Sequence, residues 1–121
     1  MMTPISSHRE LFVWQKSMNL AEHIYGLVAR FPRHEQYALI SQMSRATVSV
    51  PANIAEGYYR TTPREYSRFL AIAQGSLMEL ETLLSLANRF RYVDDATAAP
   101  AFALITEISK MLTSLRKNLP S

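Results

Sequence analysis

Apolar residues recur at intervals of three and four through almost the whole chain, and β-branched residues are scattered rather than alternating with polar ones. That pattern predicts helices and no sheet. The first periodic segment carries Leu11, Trp14, Met18, Ala21, Tyr25 and Val28 on one line, with Val13, Leu20, Ile24, Leu27 and Phe31 on a second line beside it. Two adjacent lines predict a broad buried face. Ser7-His8-Arg9-Glu10 has the S-x-x-E spacing of a capping box and marks the start of this helix; Phe31-Pro32 marks its end.

The second segment has Leu39, Met43, Ala46, Val50 and Ile54 as its core line, and a line of small residues, Ser41, Ser44, Val48, Ala52 and Ala55, that would let another helix approach closely. Pro51 falls inside it. Because Ile54 and Ala55 continue the spacing beyond the proline, Pro51 is expected to free the carbonyl of Thr47 and bend the helix without ending it. The third segment opens on Thr62 as cap, Pro63 at the first helical position and Glu65 completing the box. Tyr66, Leu70, Ala73, Leu77, Leu80, Leu84 and Ala87 then repeat without a lapse, flanked by Phe69, Ile72, Leu83, Leu86 and Phe90. The last segment follows Asp94-Asp95, accommodates Pro100 in its first turn, and carries Ala101, Ile105, Ile108, Leu112, Leu115 and Leu119.

These segments predict helices at about 8–31, 34–57, 63–91 and 97–118 in a single domain, 1–121. Short loops make sequential helices antiparallel neighbours, so the expected fold is an all-α, up-down-up-down four-helix bundle. The apolar faces of the first and third helices are wider than one bundle core needs, which predicts self-association.

Composition narrows the chemistry. The absence of cysteine excludes disulfides, thiolate metal sites and a cysteine nucleophile, and leaves a cytoplasmic setting as the expectation. No uninterrupted apolar run approaches the ~20 residues of a membrane span, and MMTPISSHRE lacks the apolar core of a signal peptide. Thirteen Lys and Arg against ten Asp and Glu give a net charge of +3, which permits a polyanionic partner without demanding one. No acidic residue has a histidine three positions on, the spacing of a di-iron bundle; His8, His23 and His34 lie far apart; and no G-x-S-x-G turn or Gly-rich phosphate loop occurs. The chain reads as a non-enzyme with no metal, no cofactor and no evident small-molecule substrate.

Three stretches, LFVWQKSMNLAEHIY, FPRHEQYALISQMSRATVSVPANIAEGYYR and EYSRFLAIAQGSLMELETLLSLA, resemble a family of small four-helix bundles found as reading frames in intervening sequences of bacterial 23S rRNA genes, often labelled S23 ribosomal protein. The likeness covers about residues 10–118. It implies a four-helix bundle, a ring-shaped homopentamer, and kinship with accessory proteins of diversity-generating retroelements, where a basic pentamer binds a reverse transcriptase and nucleic acid.

Two clusters are candidate sites. In the N-I-A-E-G run, Asn53 and Glu56 are either a polar site exposed by the bend at Pro51 or partners for groups the bend leaves unpaired, with Gly57 giving the helix a left-handed end. Glu79 falls on the flanking apolar line of the third helix, so it needs a partner, Arg45 or Arg60, unless it lies at the solvated surface. Antiparallel connectivity also gathers Arg60, Arg64, Arg68, Arg116 and Lys117 at one end of the bundle with Tyr58, Tyr59 and Tyr66, while Arg30, Arg33, Arg89 and Arg91 share the other. Arginines among tyrosines can pair phosphates and stack on bases; helix-end arginines can equally stay solvated while tyrosines cover the edge of the core. The expected role is a self-assembling binding or scaffolding module for RNA or a ribonucleoprotein. The alternative is a purely structural homo-oligomer for a protein partner.

Overall fold

The computed structural model describes residues 6–120; the first part of MMTPISSHRE and Ser121 lie outside the described residues. Four helices, α1 (Phe12–Val28), α2 (Leu39–Tyr58), α3 (Pro63–Arg89) and α4 (Asp95–Lys117), make the bundle, and no strand occurs among the described residues. Each helix packs on two others: α2 on α1 and α3, and α4 on α1 and α3. The core lines of α2 and α3 are buried as the spacing predicts, with Met43, Val50, Ile54, Leu70, Leu77, Leu80 and Leu84 fully so. α3 is, among the described residues, the one helix long and apolar enough to cross a membrane. Leu70, Leu77, Leu80, Leu83 and Leu84 point into the bundle, as those of a core helix do, while Leu86 is exposed.

Helix α1 buries one of its two lines fully and the other in part. Val13, Leu20, Ile24, Leu27 and Phe31 are buried; on the other line Val28 is buried and Leu11 and Trp14 pack partly against the core, whereas Met18 and Tyr25 are 39% and 51% exposed. A helix at the corner of a four-helix bundle needs only one stripe for the core, and the middle of the second is left outside.

The helix ends depart from expectation at both ends of α1, which stops at Val28 instead of Phe31, at the start of α2, and at the start of α4, which begins at Asp95 instead of 97. The box at Ser7–Glu10 caps a 3-10 turn, His8–Glu10, instead of α1. The Ser7 hydroxyl accepts from the Arg9 amide at 3.2 Å, but the Glu10 carboxylate reaches back to the Ser6 hydroxyl at 2.9 Å. Leu11 is extended, so α1 starts only at Phe12. The second helix likewise begins at Leu39 instead of His34, after a 3-10 turn at Arg33–Glu35. Ala38 at its N-terminus has no side-chain oxygen with which to cap, and the Glu35 carboxylate accepts the Leu39 amide at 3.4 Å in its place. The Thr62-Pro63 start is as predicted, the Thr62 hydroxyl accepting from the Glu65 amide at 3.1 Å, but the Glu65 carboxylate is held by Arg68 instead of closing the box.

Pro51 sits inside α2, which runs through it to Tyr58. Gly57 has no left-handed backbone; it lies within the helix, and the left-handed residue is Arg91, at φ 63°. The Tyr92 amide donates to the Ala87 carbonyl at 3.0 Å and the Arg91 amide to Asn88 at 3.1 Å, the paired bonds of a Schellman ending after α3. Such an ending favours glycine, because a Cβ in that region costs ~1–2 kcal/mol. Arg91→Gly is therefore expected to stabilise the fold by about 1 kcal/mol, seen as a higher urea midpoint with unchanged slope. An unchanged or lowered midpoint would count against this account of the cap.

Candidate functional site

The end of the bundle that gathers the cations is closed by aromatic contacts. His8 packs edge-on to Trp14 and Tyr59, with ring centroids 4.9 and 5.6 Å apart. The Tyr59 hydroxyl accepts from the His8 amide at 3.3 Å and lies 3.0 Å from its Nδ1. Tyr58 stands edge-on between Tyr59 and Tyr66, and burial raises the pKa of the Tyr66 phenol. These rings tie the start of the chain to the α2–α3 turn.

The five predicted cations separate into two groups. The Arg60 guanidinium donates to Glu56 at 2.8 Å, and Arg68 donates to Glu65 at 3.0 and 3.3 Å. Both also lie over the Phe69 ring, 4.6 and 4.7 Å from its centroid. The Arg68 hydrogen bond holds the Glu65 carboxyl below the usual carboxylate range and raises the arginine in turn. Arg60 and Arg68 thus belong to a neutralised clamp on Phe69. Arg64, Arg116 and Lys117 have no ion pair among the described residues. They line the groove between α3 and α4, away from the tyrosine cluster.

This groove contains residues that were not among the sequence candidates. Gln74 donates to the Thr113 hydroxyl at 3.0 Å and to Ser109 at 3.3 Å, and the Arg116 Nε donates to the Ser67 hydroxyl at 3.3 Å, so polar side chains stitch α3 to α4. Lys110 lies outside the groove, on α4 one turn before Thr113 and Ser114, and also borders the α1 side beside Glu10 and Phe12. The seven-residue step from Lys110 to Lys117 was the available signal, since it places both near one face of a helix.

The N-I-A-E-G residues are bonded within the bundle. Asn53 donates to the carbonyl and hydroxyl of Ser49 at 2.8 and 3.0 Å, and the Ser49 hydroxyl meets that of Ser76 at 2.8 Å across α2 and α3. Asn53 therefore serves Ser49 and not the Thr47 carbonyl freed by Pro51. Gly57 permits close approach instead of a helix end: a Cβ there would lie 2.7 Å from the Cβ of Phe69. Glu79 and Arg45 are exposed, and Glu79 has no ion pair among the described residues, Arg60 being held by Glu56. Its place on the flanking line turns out to be surface, which removes the need for a partner. At the opposite end Tyr92 donates to Glu35 at 2.9 Å, a bond that raises its pKa, and Asp94 accepts the Thr97 amide at 2.7 Å as the cap of α4.

No curated protein matches the chain. A solved structure from Bacteroides thetaiotaomicron VPI-5482, described as a protein with unknown function from the S23 ribosomal protein family, is 28% identical. The likeness covers 88% of this chain and 99% of that one, with a TM-score of 0.77. The family model for the 23S rRNA-intervening sequence protein matches residues 9–114, from the first 3-10 turn through most of α4, and the chain belongs to that family.

Proposed function

We propose that this protein is a non-catalytic, self-assembling bundle of the cytoplasm that acts as a binding or scaffolding module for RNA or a ribonucleoprotein. One observation carries the reading. Every exposed large apolar side chain among the described residues lies on α1, α2 or α3 or in their flanking turns, and none lies on α4. Met18, Tyr25, Val48, Ile72 and Leu86 give three helices faces suited to another copy of the chain. The fourth helix presents lysines, an arginine and hydroxyls to water. Helices α1 to α3 then form the subunit contacts and α4 stands outermost. The resemblance to pentameric accessory proteins of diversity-generating retroelements supports five subunits, and a charge of +3 per chain becomes +15 on such a particle.

Weak phosphate contacts repeated around a ring add by avidity. Light scattering at micromolar concentration is expected to give about five times the 13.8 kDa chain mass, and fluorescence anisotropy to report RNA binding at ~50 mM salt that weakens as salt rises. A stable monomer would remove the self-assembly. An intact oligomer that binds no RNA would leave the purely structural reading in its place.

A further inference from the structure

We infer that the α3–α4 groove holds the sugar–phosphate backbone of a single RNA strand without reading its bases, through Arg64, Arg116 and Lys117, with Lys110 extending the basic surface along the outer face of α4. The inference rests on the reading just given and assigns its site. Charge comes first. Three Lys or Arg ion pairs occur among the described residues: Lys16–Glu107, Arg60–Glu56 and Arg68–Glu65. None of them involves Arg64, Lys110, Arg116 or Lys117. The one carboxylate lining the groove is Glu65, and Arg68 already holds it. The other basic end differs, because the groove beside Arg91 is also lined by Asp94 and Asp95.

Geometry comes next. The lining is continuous: Ser67 and Arg116 border both the Arg64 stretch and the Gln74 stretch, and Thr113 and Lys117 lead from there onto α4 alone, where Lys110 stands. The wide part beside Arg64 encloses about 800 Å³. From Arg64 to Gln74 the helix rises ~15 Å, the span of roughly four nucleotides of a stacked strand at ~3.4 Å each. Arg116 spends its Nε on Ser67, which fixes the guanidinium plane and leaves two terminal nitrogens for a bidentate phosphate contact. Ser67 accepts that bond, so its own proton remains free to donate. No aromatic residue lines this surface, whereas the tyrosines expected to stack on bases are packed against one another and His8. Recognition here is electrostatic and blind to sequence.

The test is anisotropy with short labelled oligouridine and oligoadenine on the full-length oligomer across a salt series. Equal affinity for both is expected. Arg64→Gln with Arg116→Gln and Lys117→Gln should weaken binding about a hundredfold at 0.1 M salt and reduce the log–log salt slope by about 2, since each phosphate contact on a single strand contributes ~0.7. Arg89→Gln with Arg91→Gln should leave binding unchanged. Lys110→Gln alone should lower the slope by ~0.7, which keeps the test open if the triple variant fails to assemble. Wild-type affinity in an assembled triple variant would overturn the groove while leaving RNA binding in place. A preference for one oligomer that is lost in Tyr58→Leu with Tyr59→Leu would do the same. If the wild-type oligomer binds neither probe at ~50 mM salt, the groove and the RNA reading fall together.

Discussion

Tyr25→Asp combined with Val48→Asp is expected to convert the proposed oligomer into a folded monomer of 13.8 kDa. Within one chain these side chains are 51% and 47% exposed, so their replacement by a solvated carboxylate should change the stability of the isolated bundle by no more than ~0.5 kcal/mol each. Between chains the arithmetic reverses. A carboxylate buried without a partner at an apolar interface costs ~3–5 kcal/mol, and a ring repeats the cost at every contact. No cation lies three or four residues from Tyr25, so a carboxylate there stays uncompensated, whereas Arg45 lies three residues before Val48 and offsets part of the charge at that position. The wild-type melting temperature should therefore rise with protein concentration, because association draws on the folded state, while that of the double variant should not. Light scattering and far-UV circular dichroism check the two halves of the claim. A double variant that still assembles would move the interface away from the α1 and α2 faces.

The split of α1 into an inner and an outer line shows what periodicity can and cannot settle. Both lines obey the same spacing, so each alone would serve as a bundle face; which one turns inward depends on where α2 and α4 pack, and that is tertiary information. On α2 and α3 the ambiguity was smaller, because Leu39-Met43-Ala46-Val50-Ile54 and Leu70-Ala73-Leu77-Leu80-Leu84 are the most continuous apolar rows on their helices. The cations divide in the same way. Arg60 lies four residues after Glu56 and Arg68 three after Glu65, the spacings at which helical side chains meet; their neutralisation was therefore legible in the chain. The Arg116–Ser67 bond joins residues 49 apart, and no local rule foretells it. Gly57 was misread for a related reason. Its position near the end of a helix matched a cap, but the actual cause, the approach of α3, lies in another segment.

That cause makes substitution of the three glycines a test with opposite signs. Alanine in a helix interior is intrinsically more stable than glycine by ~1 kcal/mol. At Gly26 and Gly75 a Cβ would meet nothing within 4 Å, so Gly26→Ala and Gly75→Ala should each stabilise the monomeric bundle by about 0.5–1 kcal/mol. At Gly57 the same atom would lie 2.7 Å from the Cβ of Phe69 and 3.1 Å from Cδ1 of Tyr66, well inside the ~3.5–4.0 Å at which carbon atoms rest. The Phe69 side chain has little room to yield, being buried and in contact with the guanidinium groups of Arg60 and Arg68, while the Ser49–Ser76 bond joins the same two helices further along. The helices must separate or the rings leave their rotamers, an overpacking cost of typically ~1–3 kcal/mol that exceeds the helix-propensity gain. Gly57→Val puts two more methyl groups than alanine into the same gap and should cost more than ~3 kcal/mol, the upper end of that range. Urea unfolding in the Tyr25→Asp, Val48→Asp background measures all four without interference from assembly. A Gly57→Ala protein as stable as Gly75→Ala would show that α2 and α3 do not approach as closely as this packing requires.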